Sequence, residues 1–406
     1  RLLERADRPG GLTRGRLRDG FRFDQTGHWL HLRDPAALAL AESLLPGGFH
    51  TVVRRAAVFS RGVFTPYPYQ VHTHGLPPEV VAENVLGFVE VRWGERGRAL
   101  REREPRNFAE HVLRELGEGF ARNFMFPYNR KVWTVEPEEL STEWMGRFVP
   151  RPSAEQVVRG ALGLETGDLG YNATFLYPRE GGIEALAAAM AGRLPRPPEC
   201  GLEPASIDSG RRVAVLRSGE AVPFRAALST IPLPALVGLL ADAPARVREA
   251  AGRLRAATVT YVNVAARGEG PAPWHWVYLP EPRLRPYRVG SPSAAVPSLA
   301  PPGCRSFQVE MAGPGPVAAA EAEPAAMEAL RALGLVAAPG EVLFAETHVI
   351  PHAYAIHDRD YGEARRLVRG WLEGRGILTA GRAGAWEYSS MEDAILAGRD
   401  AADRLV

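Results

Sequence analysis

The feature that most narrows the fold lies near the end of the chain, where the apolar run GILTA, residues 376–380, leads into GRAGAWEYSSMEDAI, residues 381–395. A short apolar run that opens on one glycine and meets another predicts a buried strand. Gly381 and Gly384 let the backbone turn sharply after it and approach another group closely. Ser390 is placed to cap a following helix, with Asp393 three residues on as the acid of a capping box and Met391, Ile395 and Leu396 on one face. Strand, glycine turn and capped helix leave free N–H groups and a positive dipole end beside the turn, where an electron-rich ring or a phosphate can sit. An ordinary strand-to-helix turn has the same spacing.

Size and composition frame that turn. At 406 residues the chain exceeds one typical domain, so two intertwined lobes are expected. With 49 basic and 47 acidic side chains the balance is +2, and no block of like charge argues for nucleic acid or an anionic membrane as a partner. No apolar run approaches the ~20 residues that span a bilayer, and no signal-peptide pattern opens the sequence. A cytoplasmic location is expected. Cys200 and Cys304 are too few for a disulfide framework or a cysteine metal site. HExxH, a Walker loop and an evident Ser-His-Asp set are missing, which agrees with a site using neither metal nor ATP.

Taken in order, the chain opens with RLLERADRPGGLTRG, which reads as a strand end running into a loop, with Glu4 ahead of Gly10 and Gly11. No strand followed by GxGxxG occurs anywhere, so a fragment lacking the first part of a Rossmann unit is expected. GFRFDQTGHWLHL, residues 20–32, alternates and then reaches Gly27 and His28; His31 is read as structural. Residues 35–45 predict a helix, and 51–65 a β-hairpin turning at Arg61 and Gly62. PYPYQ follows at 66–70, where prolines on both sides of Tyr67 stiffen the backbone and fix its phenol, while Tyr69 is read as core. Residues 78–124 carry apolar positions at helical spacing. FMFPYNRKVWTVEPEELSTEWMGRFVPRP, residues 124–152, holds more aromatic, amide and basic groups than a scaffold helix needs. GYNATFLYPREGG then reads as a strand entering a helix, 210–240 as strand, turn, strand and a buried strand, and 257–267 as a strand ending on Arg267.

Several of these segments together resemble the UDP-galactopyranose mutases of eukaryotic type, within the FAD-dependent amine-oxidase and protoporphyrinogen-oxidase-like superfamily. The match rests on PYPYQ, on FMFPYNRKVW against FxxPYNxKVW, on GYNATFLYPREGG against GPNATFRFPxxGG, and on the closing GRAGAWEYSSMED. The resemblance implies an α/β fold, a Rossmann-type FAD-binding domain without its GxGxxG unit, carrying inserted helical and antiparallel-sheet substrate lobes. Expected boundaries are 1–34, 195–245 and 351–406 for the FAD-binding parts, 35–194 for a mostly helical substrate lobe and 246–350 for its sheet.

The same resemblance implies roles for single residues. Glu4 would accept both ribose hydroxyls of the adenosine, near Gly10 and Gly11, and Val213 would meet the adenine through its backbone. Gly27, Gly381, Arg382, Tyr388, Ser390 and Met391 would hold the flavin, with His28 near its reactive edge; Thr26 stands where the family has a glycine. Arg54, Tyr67 and Gln70 would meet the nucleotide end of the substrate, and Asn129 and Trp133 would belong to a mobile loop over it. Asn172, Tyr354 and Tyr388 are further contacts, and Arg147 and Arg267 would hold the diphosphate.

The implied reaction interconverts UDP-galactopyranose and UDP-galactofuranose with no net redox change. Reduced FAD would act through an adduct between its N5 and the sugar, with NAD(P)H as a reductant that the chemistry admits. Two rivals stay open: an FAD-dependent amine-oxidase or protoporphyrinogen-oxidase-like enzyme, and a non-catalytic binder of nucleotide sugar or flavin.

Overall fold

The computed structural model describes residues 1–145, 149–166, 173–268, 270 and 273–405. Its organising strand is Ala256–Arg267, buried from Ala257 to Ala266. That run, ATVTYVNVAA, is mostly apolar because layers cover the strand on both faces, where a half-solvated strand would expose alternate residues. It pairs antiparallel with Cys304–Gly313 on one side and Val342–Ala355 on the other. The sheet continues through Arg288–Gly290, Trp276–Tyr278, Ala56–Ser60 and Val63–Pro66, and the one parallel step joins Trp276–Tyr278 to Ala56–Ser60.

Helices Pro78–Trp93 and Phe108–Phe120 cover one face, packing Phe88, Phe108 and Phe120 in one cluster with Val58, Val259 and Tyr261 of the sheet. Their backbones nearly touch. A Cβ at Gly119 would lie 2.2 Å from the Glu83 carbonyl oxygen, so glycine there is a packing requirement. The second helix runs on through a π-helical turn, Ala121–Met125, into Phe126–Trp133; such turns recur at functional sites. On the other face, Ala319–Ala332 buries Ala322, Ala326, Ala329 and Leu330.

A second layer is α/β in character. Two short parallel pairs, Leu3–Glu4 with Glu199–Cys200 and Ala227–Ser229 with Ile377–Thr379, lie beside the antiparallel ribbon Pro204–Asp208, Val213–Leu216 and Ala221–Pro223. Helices Leu233–Leu239, Ala245–Arg253 and Tyr361–Glu373 share a core with Ile377 and Trp386. The expected class, α/β with helical and antiparallel-sheet lobes, is the class observed. Among the described residues no helix is long and apolar enough to cross a membrane.

One strand assignment is corrected. The turn at Arg61 and Gly62 closes a hairpin of Ala56–Ser60 and Val63–Pro66, but Phe49–Val53 leaves it and pairs with Thr174–Pro178. The partner lies more than a hundred residues on, so no local signal announces it. The elbow between the two sheets falls at Arg54, whose N–H donates to the Ala173 carbonyl (2.9 Å).

Candidate functional site

Where the Phe126–Trp133 helix, the Trp276–Tyr278 and Arg288–Gly290 strands and the closing turn converge, they enclose a cavity of about 360 Å³, within the size range of small-molecule sites. The turn itself matches the expectation. Ile377–Thr379 is a buried strand, Gly381 has φ +72°, and Ser390 and Asp393 bond reciprocally: the Ser390 N–H donates to Asp393 (2.7 Å), and the Asp393 N–H donates to Ser390 Oγ (3.2 Å). The helix Met391–Leu405 therefore starts beside the cavity with its N-terminus capped. Gly384 fits tightly against the neighbouring strand, since a Cβ there would stand 2.6 Å from the Ser229 carbonyl oxygen. From the other side Tyr361 donates to the Trp386 carbonyl (2.6 Å) and Arg365 to that of Ala385 (2.7 Å), which holds the turn in place.

Loop 24–28 forms the adjoining wall. Gln308 donates to the Asp24 carbonyl (2.7 Å), and Gln25 donates to the carbonyls of Gly11 (3.1 Å) and Arg14 (3.3 Å), tying this loop to the first one. Thr26 sits at φ +67°, a conformation a β-branched residue rarely adopts, so threonine here takes a backbone geometry natural to glycine. Gly27 lines the cavity. His28 is not among the lining residues; its Nδ1 is buried without a partner, and burial pulls its pKa down to about 4, so the ring is neutral at pH 7.

Asp24 is the other buried titratable group of the loop, 8 % exposed and bonded to the Tyr177 hydroxyl (2.7 Å). Burial pushes its carboxyl up to about 7. The folded chain thus keeps a proton that the unfolded chain, with a pKa of about 3.9, has lost. The stability this group contributes is complete below about pH 4 and is lost as the pH rises through 7. Calorimetry of Asp24→Asn should find an unchanged melting midpoint near pH 4 and a raised one near pH 8; equal shifts at both would contradict the assignment.

The cavity walls are phenols and indoles. Trp133 lies 4.7 Å from Trp144 and 5.5 Å from Tyr388, centroid to centroid, and its indole N–H donates to Asn129 Oδ1 (3.1 Å). Asn129 in turn donates to the Met125 carbonyl (2.7 Å), so it orients the indole. Both sit on the Phe126–Trp133 helix and not on a loop, which corrects the mobile-loop expectation: the helix continues through the π turn, with Pro127 in its first turn, where proline is tolerated. Tyr67, Tyr278, Tyr354 and Tyr388 also face the cavity. Burial pushes the Tyr388 phenol up to about 12 and raises Tyr67 and Tyr278 as well, so these three hydroxyls remain protonated.

Among the described residues three guanidiniums and one carboxylate line it. Arg288 grips Glu310 with two bonds, Nε to Oε1 (2.8 Å) and NH2 to Oε2 (2.7 Å), while Tyr287 donates to the same carboxylate (2.6 Å). Arg382 donates to the carbonyls of Ala353 (3.0 Å) and Ser389 (2.7 Å) and stands 5.0 Å from the ring centres of both Tyr354 and Tyr388. Arg54 lies 5.3 Å from the Tyr67 ring centre. Gln70 donates to the Pro150 carbonyl (2.9 Å) and leaves its own Oε1 buried without a partner.

The cavity therefore collects Gly27, Arg54, Tyr67, Gln70, Asn129 and Trp133, together with Tyr354, Arg382, Tyr388 and Ser390. Met391 packs just outside, in the cluster with Trp29. Glu4 ends its strand and accepts from the Ala6 N–H (2.7 Å), Gly10 and Gly11 both have positive φ, and Val213 opens the ribbon strand. Arg147 and Asn172 lie outside the described residues.

Arg267 is not in the cavity. It is the exposed last residue of its strand, opposite Cys304, four residues past Asn263, whose cross-strand partner Gln308 lines the wall. At ~3.3 Å per residue that is about 13 Å farther along. The strand forms as its pattern predicts, and its far end lies away from the cavity. Arg288 and Glu310 were missed. Arg288 belongs to a three-residue strand, too short for a pattern, but a lone glutamate inside CRSFQVEMAG was a usable sign, because a buried charge needs a partner. His275, which accepts from the Arg55 N–H (3.3 Å), and Trp276 were likewise passed over in the WHWVY run.

The model of the flavin containing amine oxidoreductase family matches residues 1–406. Among solved structures, reduced UDP-galactopyranose mutase superposes with a TM-score of 0.91 at 25% identity, covering 99% of this chain and 89% of that one. An Exiguobacterium protein assigned as a protoporphyrinogen oxidase gives 0.74 at 18%, covering 99% and 92%. A redesigned putrescine oxidase gives 0.66 at 14%, again covering 99% and 92%. The last two likenesses show the fold alone.

Proposed function

This chain belongs to the flavin containing amine oxidoreductase family, and from that premise we propose that it is an FAD-dependent mutase interconverting UDP-galactopyranose and UDP-galactofuranose. The residues present fit a flavin. The buried His28 Nδ1 and Ser389 Oγ lack partners, a Cβ at Gly381 would meet nothing within 4 Å, and Gly27, Gly381 and the capped N-terminus of Met391–Leu405 would form a backbone-lined cradle for the ring. When bound and reduced, the flavin supplies the nucleophile for the sugar's anomeric carbon; NAD(P)H is a candidate reductant.

One observation carries the substrate class: among the described lining residues, three guanidiniums face a single carboxylate. A cationic amine is opposed by that surplus, whereas a diphosphate is favoured by it, because each guanidinium offers a fixed fork of donors and keeps its charge. Arg288 would oppose the charge that grows on the departing diphosphate, and the Glu310 clamp holds its fork in one plane. The Tyr67, Tyr354 and Tyr388 hydroxyls would orient sugar and phosphate, and the Trp133 and Trp144 indoles would exclude water above them.

The test is product analysis with dithionite-reduced holoprotein. Formation of UDP-galactofuranose without oxygen uptake is expected. Oxygen uptake with an amine or a porphyrinogen, and no sugar isomer, would replace this reading by an oxidase.

A further inference from the structure

Lys131 points away from bulk water into a nest of backbone oxygens. Its ammonium donates to the carbonyls of Leu279 (2.8 Å), Glu281 (2.6 Å) and Pro286 (3.1 Å), and also to that of Leu284. Four acceptors thus converge on three N–H bonds. All four belong to the loop between Trp276–Tyr278 and Arg288–Gly290, the strands that bring Trp276, Tyr278 and Arg288 to the cavity. Lys131 itself comes from the helix that supplies Tyr128, Asn129 and Trp133 to the opposite wall. Burial draws its pKa down to about 8, so the charge is retained at neutral pH, and Glu281 is the acidic group that favours it.

We propose that Lys131 is a positioning residue whose ammonium serves as an internal cation, locking the 279–287 loop to the Phe126–Trp133 helix and so setting where Arg288 meets the ligand. Converging carbonyls at these distances match the shell that replaces water around a monovalent cation. A chain that lacks the side chain but keeps the nest should therefore accept a small free cation in its place. The inference rests on the cavity's construction and holds whichever ligand the cavity takes.

The experiment follows amide hydrogen exchange over 276–290 in wild type, Lys131→Ala and Lys131→Met, with methylammonium or tetramethylammonium chloride at equal concentration. Faster exchange confined to the loop is expected in both variants. Methylammonium should restore protection in Lys131→Ala alone, because the methionine side chain fills the space, and tetramethylammonium, too large and without N–H donors, should restore neither. If Lys131→Ala does not fold, the Met variant decides. Wild-type exchange over the loop in Lys131→Met, or the same response of both variants to methylammonium, would overturn the proposal. In parallel, UDP affinity should fall roughly tenfold to a hundredfold in Lys131→Ala and recover with methylammonium. Absence of UDP binding in wild type would count against the substrate reading and leave the exchange result to decide this one.

Discussion

Arg288→Ala should cut mutase turnover by about a thousandfold, as does loss of one oriented donor at a site of developing charge, while flavin content stays at the wild-type level. The substitution also strands Glu310, 1 % exposed, without its bidentate partner. Breaking a buried pair from one side costs about 3–5 kcal/mol, so reduced stability would accompany the single change. Arg288→Ala combined with Glu310→Gln removes that charge, and Tyr287 can still donate to the amide oxygen. The double variant should regain stability and remain inactive, which separates the loss of the guanidinium from the harm of an orphaned carboxylate. Arg288→Lys keeps the charge but not the planar fork and should fall between the two. Arg267→Ala, at the exposed strand end, should turn over near the wild-type rate.

Gly384→Ala should give the opposite phenotype, a folded chain purified almost without flavin. The added Cβ would meet the Ser229 carbonyl oxygen at 2.6 Å and Thr230 Cα at 2.9 Å. Neither can retreat cheaply: Ala227–Ser229 is hydrogen-bonded in register with Ile377–Thr379, and the Ala380 N–H donates to the Ser229 carbonyl (3.1 Å). The turn must shift instead, at a cost of about 1–3 kcal/mol for a one-carbon overpack, and it carries Arg382 and Ser389 out of position. The visible absorbance of the purified variant reads the outcome. Full flavin content would show that the turn does not form the cradle.

How much of this could be read before the fold was known depends on the range of the interaction concerned. The closing strand, its glycine turn and the Ser390–Asp393 cap are local devices, each written within a few residues, and the observed bonds match them. The Arg61–Gly62 hairpin is equally local, since both residues carry the positive φ its turn needs. The pairing of Phe49–Val53 with Thr174–Pro178 depends on chain far away, as does the meeting of Arg288 with Glu310 across two strands. Motif likeness reached Tyr67, Gln70, Asn129 and Trp133 because those residues sit inside recognisable runs. It pointed to Arg267, at the exposed end of its strand, and not to Arg288, which lines the cavity, because spacing along one strand could not show which arginine turns inward.

The most direct test of the account is a titration of the holoprotein with UDP, followed by the fluorescence of the indoles that line the cavity, Trp29, Trp133, Trp144 and Trp276. Saturable quenching in wild type and in Arg267→Ala, much weakened in the Arg288→Ala, Glu310→Gln pair, is the predicted result. No response to UDP in wild type, or quenching that ignores Arg288, would contradict a diphosphate held in this cavity.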